Sequence, residues 1–358
     1  MLKKLDLYII RKFLGTFLLS IVLILSITIV LDLTERIDKF FDKHAPLEAI
    51  IFDYYINVIP YFFNMLYPLF TFIAVIFFTS NLAGNSEIIA MQSSGMSYNR
   101  FLRPYFISAT LIAVFAFYLG GYVIPKGNVT RLEFENRYIK KFRNENVTNV
   151  QLEVEQGITF YIENYDVERK RGYHASIDKF DGKKLVSRLT AERINYDTLN
   201  KWKLNDYTIR QFDGMKETLT RGAEMDTIIA VEPRDFYITP KESPQMTNPE
   251  LYSYLKRQKK RGVGNIKAFE DEYYKRFSMP FAAFILTLMG VSLSSRKVRG
   301  GTGINLGIGL ALSAGYVLFS TFSSSFSVNG SMSTMLAAWL PNIVFFTVAV
   351  FLYLKAKR

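Results

Sequence analysis

Charged and apolar positions are segregated along this chain rather than interspersed. Five stretches contain no Asp, Glu, Lys or Arg, and they are 19, 33, 22, 19 and 55 residues long. Since a bilayer-spanning helix needs about 20 apolar residues, three of them fit one span each, the 33-residue stretch fits one long span and the 55-residue stretch fits two. This pattern excludes an ordinary soluble protein. The charge-free stretches are residues 13–31, 54–86, 104–125, 277–295 and 300–354.

We therefore predict six membrane-spanning helices. The first follows a basic N-terminal segment, is longer than the apolar part of a typical signal peptide and precedes no Ala-x-Ala pattern, so we interpret it as an uncleaved signal anchor. The last two are separated by the polar, glycine-containing segment 325–333, which is typical of a turn. The predicted spans are residues 13–31, 56–80, 104–124, 277–295, 303–324 and 334–354.

Lys and Arg are distributed unevenly among the predicted connecting segments. The two termini and the loops 81–103 and 296–299 together carry twelve, whereas the alternate loops 32–53 and 325–333 carry three. Because Lys and Arg are enriched on the cytoplasmic side, we predict that both termini are cytoplasmic. The large segment 126–276 is then periplasmic.

Segment 126–276 is long enough to be a domain, and its centre has the pattern of β-structure. Apolar and polar residues alternate in short runs, and Asp181-Gly182 and Asp213-Gly214 are typical hairpin turns between such runs. The alternation changes face near Asn205-Asp206, which predicts a β-bulge. We predict a sandwich or jellyroll over about residues 140–235, with a helix from about Thr247 and an amphipathic helix over residues 266–276.

The predicted fold is membrane α-helical with an inserted β domain. Three spans precede the periplasmic domain and three follow it. Residues 1–125 hold spans one to three, residues 126–276 hold the periplasmic β-jellyroll-like domain with its flanking helices, and residues 277–358 hold spans four to six.

The composition excludes or disfavours several kinds of chemistry. The chain has no Cys, which excludes disulfides and thiolate metal sites, and its two His residues, His44 and His174, lie far apart in the sequence. No G-x-x-x-x-G-K-[ST] phosphate-binding loop occurs, so the chain does not look like an ATPase. The predicted spans contain no Asp, Glu, Lys, Arg or His, which disfavours proton-coupled transport. We therefore expect a protein that is not an enzyme and that holds no cofactor or metal.

Small residues recur every four positions on one face of the fifth predicted span. Such a stripe lets another helix approach closely in a membrane. Two interpretations stay open, namely ordinary packing inside this chain and a movable interface. The residues of the stripe are Gly303, Gly307, Ala311 and Gly315.

Basic residues near the outer ends of the first and third spans are candidate contacts for anionic head groups. Those of the first group share one face of a predicted helix, and acidic residues occupy the neighbouring face. A self-paired, solvated helix end is the alternative interpretation. The candidates are Arg36, Lys39 and Lys43 after the first span, and Lys126, Arg131 and Arg137 after the third.

The loop 81–103 contains a short predicted helix that has a polar start and a glycine stop. Its one acid, Glu87, is followed by apolar residues, as in a helix that docks in the groove of a partner. The alternative is a solvated loop that carries a single acid. The residues assigned to coupling are Ser86, Glu87, Ile88, Met91 and Gly95.

Four motifs carry a family resemblance. Pro60 and Pro68 are eight residues apart in the second span, and the third span ends in Val123-Ile-Pro125-Lys-Gly127. The segment Ser86-Glu87-Ile88 through Gly95-Met96-Ser97 is similar to the pattern S-E-(I/L)-x-x-M-x-x-(S/C)-G-(L/F/M)-(S/T). A fourth motif runs from Met246 to Leu255 and is followed by Lys275-Arg276 and Pro280. Together they resemble the lipopolysaccharide export permeases of the LptF/LptG (YjgP/YjgQ) family over nearly the whole chain.

The resemblance implies a six-span half-transporter of the inner membrane with a periplasmic β-jellyroll. It also implies four partners, which are an LptB-like cytoplasmic ABC ATPase dimer, a second LptF/LptG-type subunit, an LptC/LptA-like periplasmic bridge and lipopolysaccharide itself. The loop around Glu87 would be the coupling helix, and spans one and five would form the lateral gates.

The chain departs from the family pattern at one place. Family members often carry a basic residue near the outer end of the first span, where this chain has Asp32. A function of another class also stays open. This is a mechanotransmission permease that relays ATPase motion to a periplasmic partner without moving lipid.

Overall fold

The computed structural model describes residues 3–139, 146–155, 157–167, 169–197, 200–214, 216–231, 233, 240–260, 266–296 and 301–357. The chain divides into two compact units. The membrane unit comprises Met1–Lys141, Pro244–Leu251 and Lys267–Arg358, and the β unit comprises Phe142–Ser243 and Tyr252–Ile266.

Helices dominate the membrane unit, and several are long enough to cross a bilayer. The helix over Leu47–Gly84 contains a π-helical turn at Ile50–Tyr55, and the helix over Tyr98–Ile139 contains two, at Leu119–Val123 and Glu135–Ile139. In chain order, the helices of the described residues are α1 (Lys4–Asp42), α2 (Leu47–Gly84), α3 (Glu87–Ser93), α4 (Tyr98–Ile139), α5 (Asn248–Lys260), α6 (Lys267–Ser278), α7 (Phe281–Ser294), α8 (Gly301–Val328) and α9 (Thr334–Lys357).

The described residues contain five helices that are each long and apolar enough to cross a membrane, namely α1, α2, α4, α8 and α9. A sixth span exists only if α6 and α7, which meet at an angle of 47°, count as one. The predicted fourth span corresponds mainly to α7, which has 14 residues. At a rise of 1.5 Å per residue this is about 21 Å, short of the roughly 30 Å of a bilayer core.

The bend between α6 and α7 is stabilised by side chains from two other helices. Pro280 lies at the break, where its ring cannot donate a backbone hydrogen bond. The Tyr67 hydroxyl donates to the carbonyl of Met279 at 2.6 Å, and the Asn342 amide donates to the carbonyl of Ser278 at 2.7 Å. Carbonyl groups released by a break must be satisfied inside a membrane. Asn342 satisfies that of Ser278, whereas the Met279 carbonyl also accepts a hydrogen bond from the Ala282 amide at 2.9 Å.

Helix α2 lies at the centre of the membrane unit. Of its most apolar 18-residue window, 61% is buried, whereas the corresponding windows of α1 and α8 are 11% and 22% buried. Its residues Phe72 and Val75 approach α7 closely at Gly290, where a Cβ atom would lie 2.7 Å from Val75. Helices α1 and α8 therefore leave most of their apolar surface outside the chain's own core.

One buried residue per turn attaches α1 to the rest of the unit. The buried positions recur every four residues, which is one stripe of a helix. Phe13 packs against Tyr105 of α4 with ring centroids 5.8 Å apart, and Phe17 packs against Phe63 of α2 at 6.1 Å. The stripe is Ile9, Phe13, Phe17, Ile21 and Leu25.

The β unit contains one antiparallel sheet in which the strands follow each other in chain order. The inserted β domain is thus confirmed, and the described strands form a six-stranded meander in a single sheet rather than the two sheets of a sandwich. Gly182 and Gly214 have φ values of 62° in the predicted hairpin turns. The strands are β1 (Asn146–Glu155), β2 (Ile158–Asp166), β3 (Arg171–Asp181), β4 (Lys184–Tyr196), β5 (Lys201–Asp213) and β6 (Lys216–Ile228).

An irregularity crosses the sheet at the place where the sequence predicted a bulge. Asp206 has a φ of 54°, and Asn149 and His174, in β1 and β3, have φ values of 55° and 53°. Asn, Asp and His tolerate this left-handed conformation better than most residues. Pairing continues in the same register on both sides of these positions, so each strand changes face without the two-against-one count of a bulge.

The apolar face of the sheet forms the core of the β unit. Trp202 and Phe160 pack there at a centroid distance of 5.9 Å, and the Trp202 indole donates to the carbonyl of Val231 at 3.0 Å.

Helix α5 begins close to its predicted start. The backbone amide and hydroxyl of Thr247 donate to Glu250 at 2.8 and 2.7 Å, and these hydrogen bonds lower the pKa of the Glu250 carboxyl.

Candidate functional site

The short helix expected between the second and third predicted spans is present as α3. Ser86, directly before it, is in the left-handed region with a φ of 61°, and Gly95, after it, has a φ of 89°. The amides of Gly95 and Met96 donate to the carbonyls of Gln92 and Met91 at 2.9 and 3.2 Å. Glycine is favoured in such a C-terminal turn, so Ser86 and Gly95 define the ends of α3.

One face of helix α3 packs against the core of the membrane unit, and the other face is exposed. Ile88 and Met91, which the sequence assigned to coupling, are only 2% and 9% exposed and pack in the core of the membrane unit. Their three-residue spacing is a signal of a shared buried face. Ile89 is 56% exposed. The exposed face, called the coupling face below, consists of Ile89, Ala90, Gln92 and Ser93.

Glu87 begins α3 and contacts the start of α1. The Tyr8 hydroxyl donates to its carboxylate at 3.3 Å, and the Asn85 amide donates to it at 3.5 Å. Arg100 follows α3 in the chain, and its guanidinium forms an ion pair with Asp6 at 2.5 Å. Sequence reasoning missed Asp6, Tyr8 and Arg100, because no local spacing connects residues that are about 80 to 90 positions apart.

The small-residue stripe of α8 lies on an outward face. At Gly303 and Gly307 an added Cβ atom would meet no described residue beyond its immediate helix neighbours within 4 Å, and Ala311 is exposed. At Gly315 the nearest atom would belong to Phe345, 3.9 Å away. Among the described residues, the stripe therefore does not mediate close packing, and this face is available to another helix.

Internal packing of α8 depends instead on Gly309, which the stripe does not include. A Cβ atom at this position would overlap the Cδ1 atom of Ile76 in α2. Gly309 is buried, whereas Gly307 is exposed. The four-residue repeat does not include Gly309, because this glycine lies on the face of the helix opposite Gly307. The sequence pattern therefore did not predict its contact with Ile76.

Arg36, a predicted head-group contact, is held within the protein. Its guanidinium donates to Asp32 at 2.8 Å and lies 5.3 Å from the ring centroid of Tyr54. The Tyr54 hydroxyl also donates to Asp32, at 2.9 Å. Asp32 thus neutralises Arg36 and connects α1 to the beginning of α2, which gives this departure from the family pattern a structural role.

The remaining basic candidates are not brought together into one site. Lys39 and Lys43 of α1 are exposed, and so are Lys126 and Arg137 of α4. Arg131 lies 3.7 Å from Glu135 and 4.9 Å from the ring centroid of Tyr61. Arg137 lies 5.4 Å from the centroid of Tyr138.

The membrane unit also contains a cavity of about 270 Å³ beside Tyr61, Asn64, Asn128 and Arg276. The buried Oδ1 atom of Asn128 has no hydrogen-bond partner in the described part of the chain. A cavity of this size holds several waters at roughly 30 Å³ each.

Within the described residues no group of three or more His, Cys, Asp or Glu side chains could hold a metal ion.

Comparison with protein families identifies the chain. The family described as lipopolysaccharide export system permease LptF/LptG matches residues 7–355. Because this is nearly the whole chain, the chain belongs to the LptF/LptG family. The several long apolar helices of the described residues agree with a multi-pass membrane protein of this family.

A curated relative is similar over a shorter stretch. An uncharacterized protein of Rickettsia prowazekii (strain Madrid E) is 26% identical over 151 residues, which are 40% of this chain and 41% of the relative. The match thus spans less than half of the relative's length. It adds no functional information beyond the family.

Proposed function

We propose that this member of the LptF/LptG family is one half of the membrane channel of an ABC exporter. In this proposal it extracts lipopolysaccharide from the inner membrane together with a second LptF/LptG-type subunit. It passes the lipid to an LptC/LptA-like bridge in the periplasm. An LptB-like ATPase dimer supplies the energy, because the chain has no phosphate-binding loop of its own.

The outward stripe of α8 is the observation that carries this proposal. Exposing an acyl chain to water costs about 0.8 kcal/mol per CH₂ group, so extraction requires an apolar path that opens sideways to the bilayer. Gly303 and Gly307 give α8 a smooth face that is open to the outside in the described part of the chain. Such a face allows close contact with a second subunit and separation from it at low cost.

The exposure of α1 supports the same arrangement. Helices α1 and α8 have the least buried apolar windows among the five candidate spans that the described residues contain, at 11% and 22%. Large apolar surfaces without partners in a chain mark contacts with lipid or another protein. We infer that α1 of one subunit and α8 of the other form each lateral gate.

Helix α3 supplies a surface for the ATPase. Its apolar residue Ile89 is exposed beside Glu87, whose carboxylate is half-buried. We infer that the coupling face inserts into a groove of the ATPase, with Glu87 at the rim. The buried residues Ile88 and Met91 join α3 to the core of the membrane unit, so a force on the coupling face reaches the spans.

The proposed orientation places α3 and both termini in the cytoplasm and the β unit in the periplasm. It is supported by the count of twelve Lys and Arg residues against three. We propose Lys39, Lys43, Lys126 and Arg137 as head-group contacts because their side chains are exposed. Arg36 and Arg131 are weaker candidates because acids already neutralise them.

Affinity purification of the chain from detergent-solubilised membranes tests the proposal. Mass spectrometry of the purified material should identify lipopolysaccharide, an ABC ATPase and a second permease of the same family. An ATPase without lipopolysaccharide would favour the mechanotransmission alternative. Absence of an ATPase would contradict both functions.

A further inference from the structure

The first two turns of α1 contact both ends of the coupling segment. Glu87, the first residue of α3, accepts a hydrogen bond from Tyr8 at 3.3 Å. Arg100, in the first turn of α4, forms the 2.5 Å ion pair with Asp6. The start of α1 therefore bridges the residues that enter and leave α3.

The acid of the ion pair is buried, and its base is partly exposed. The Asp6 side chain is 4% exposed and that of Arg100 is 23% exposed. Asp6 also accepts a hydrogen bond from the backbone amide of Lys3 at 2.8 Å. Because a buried charge without its partner is strongly unfavourable, the two residues are expected to move together.

Buried apolar side chains also connect the start of α1 with α3 and α4. Ile9 and Phe13 of α1 lie in the same buried cluster as Ile88 and Met91 of α3 and Phe101 of α4. Farther along α1, the stripe from Phe17 to Leu25 contributes one buried residue per turn, and Asp32 and Phe40 are buried nearer its C-terminal end. The most apolar part of α1 is nevertheless largely exposed, whereas that of α2 is largely buried.

We propose that Asp6 and Tyr8 are positioning residues that transmit motion of the coupling segment directly to α1. The inference rests on the proposed function, in which an ATPase moves α3 and α1 forms part of a lateral gate. Coupling then passes through a contiguous set of contacts, namely Arg100 to Asp6 and Glu87 to Tyr8. When α3 does not move, the same contacts keep the first two turns of α1 in place.

Charge reversal at the ion pair tests the proposal. The single variants Asp6→Arg and Arg100→Asp and the double variant are expressed in cells together with the ATPase and the second permease. Each complex is purified, and its ATP hydrolysis and its ATP-dependent release of lipopolysaccharide are measured. We expect both single variants to retain the ATPase but to export about 5- to 150-fold less lipopolysaccharide per ATP, the range typical of coupling between sites. The double variant should recover most of this loss.

Two further variants separate coupling from folding. Tyr8→Phe removes one exposed hydrogen bond and should fold normally, with a smaller loss of export per ATP. Arg103→Asp changes an exposed charge one turn along α4 from Arg100, and it should behave like the wild type.

The possible failures are distinguishable. Wild-type export in Asp6→Arg and Arg100→Asp would overturn the relay and leave the proposed function intact. Loss of ATPase capture in these variants would assign the pair to assembly and would also overturn the relay. If the wild-type chain itself captures no ATPase, both the relay and the proposed function are wrong.

Discussion

Gly307 and Gly309 are two residues apart on α8 and face opposite environments. A Cβ atom at position 307 would meet nothing within 4 Å, whereas one at position 309 would overlap Ile76 of α2. Gly307 thus lies on an exposed face of α8, and Gly309 lies at the packing contact between α8 and α2. This difference allows the gate to be tested separately from the fold.

We expect Gly307→Leu and Ala311→Leu to fold normally and to block lipopolysaccharide export. Each adds bulk to the outward stripe, so α8 no longer approaches its partner helix closely. Gly309→Leu is the matched control, and it should lower the free energy of unfolding by about 1–3 kcal/mol through overpacking against Ile76. Thermal unfolding in detergent and export in cells measure the two effects. Undiminished export by the first two variants would mean that the stripe is passive.

The neighbouring residues Ile88 and Ile89 provide a similar pair in α3. Ile89→Ala should reduce capture of the ATPase and leave stability unchanged, because this side chain is exposed on the coupling face. Ile88→Ala should instead lower stability by about 2–5 kcal/mol, as expected for a buried Ile. Pull-down of the ATPase and thermal unfolding separate the two. Equal ATPase capture by Ile89→Ala and the wild type would contradict docking through this face.

Glu87 is expected to matter for coupling rather than for lipid binding. Glu87→Ala should weaken ATPase capture or uncouple hydrolysis from export, with lipopolysaccharide still co-purifying. Glu87→Lys should be worse, since it adds repulsion to the loss of a charged contact. ATPase pull-down combined with lipid mass spectrometry measures both properties. A solvated loop acid would give wild-type behaviour in both variants.

Asp32 is expected to stabilise the outer end of α1. Asp32→Ala removes the acceptor of both Arg36 and Tyr54 and should cost about 3 kcal/mol, because it leaves a half-buried guanidinium without its acid. Asp38→Ala on the same helix is the control, since Asp38 is exposed. The readout is the midpoint of thermal unfolding in detergent. Equal midpoints for both variants would show that the Asp32 contacts contribute little.

The orientation is testable because the chain has no Cys. We introduce Lys216→Cys in the β unit or Gln92→Cys in α3, both at exposed positions. A membrane-impermeant thiol reagent should label position 216 from the periplasm, and position 92 only after the inner membrane is opened. The opposite pattern would reverse the topology.

The sequence predicted the membrane helices and the β domain because both depend on local patterns. Charge-free runs mark spans, and Gly182 and Gly214 occupy turns that few other residues tolerate. The break at Pro280 was not predicted, because the fourth charge-free run has the length of a straight span. Tyr67 and Asn342 donate hydrogen bonds to the carbonyls of Met279 and Ser278 at this break, and only the folded chain brings these residues together.

The candidate site could be predicted only in part, for the same physical reason. The ends of α3 at Ser86 and Gly95 follow from local backbone chemistry. Which apolar residue of α3 faces outward depends on the core beneath it, so Ile89 was not assigned to coupling. The contact of Asp6 with Arg100 joins distant parts of the sequence, and no pattern of spacing indicates it.

The most direct test of the proposed export function is a reconstituted transfer assay. The chain, its ATPase and the second permease are placed in proteoliposomes that contain lipopolysaccharide, and a soluble periplasmic bridge protein is added as acceptor. We expect ATP to move lipopolysaccharide onto the acceptor, and Gly307→Leu to abolish this transfer while ATP is still hydrolysed. ATP hydrolysis by the wild-type complex without any transfer would contradict the claim that this chain forms a path for lipid.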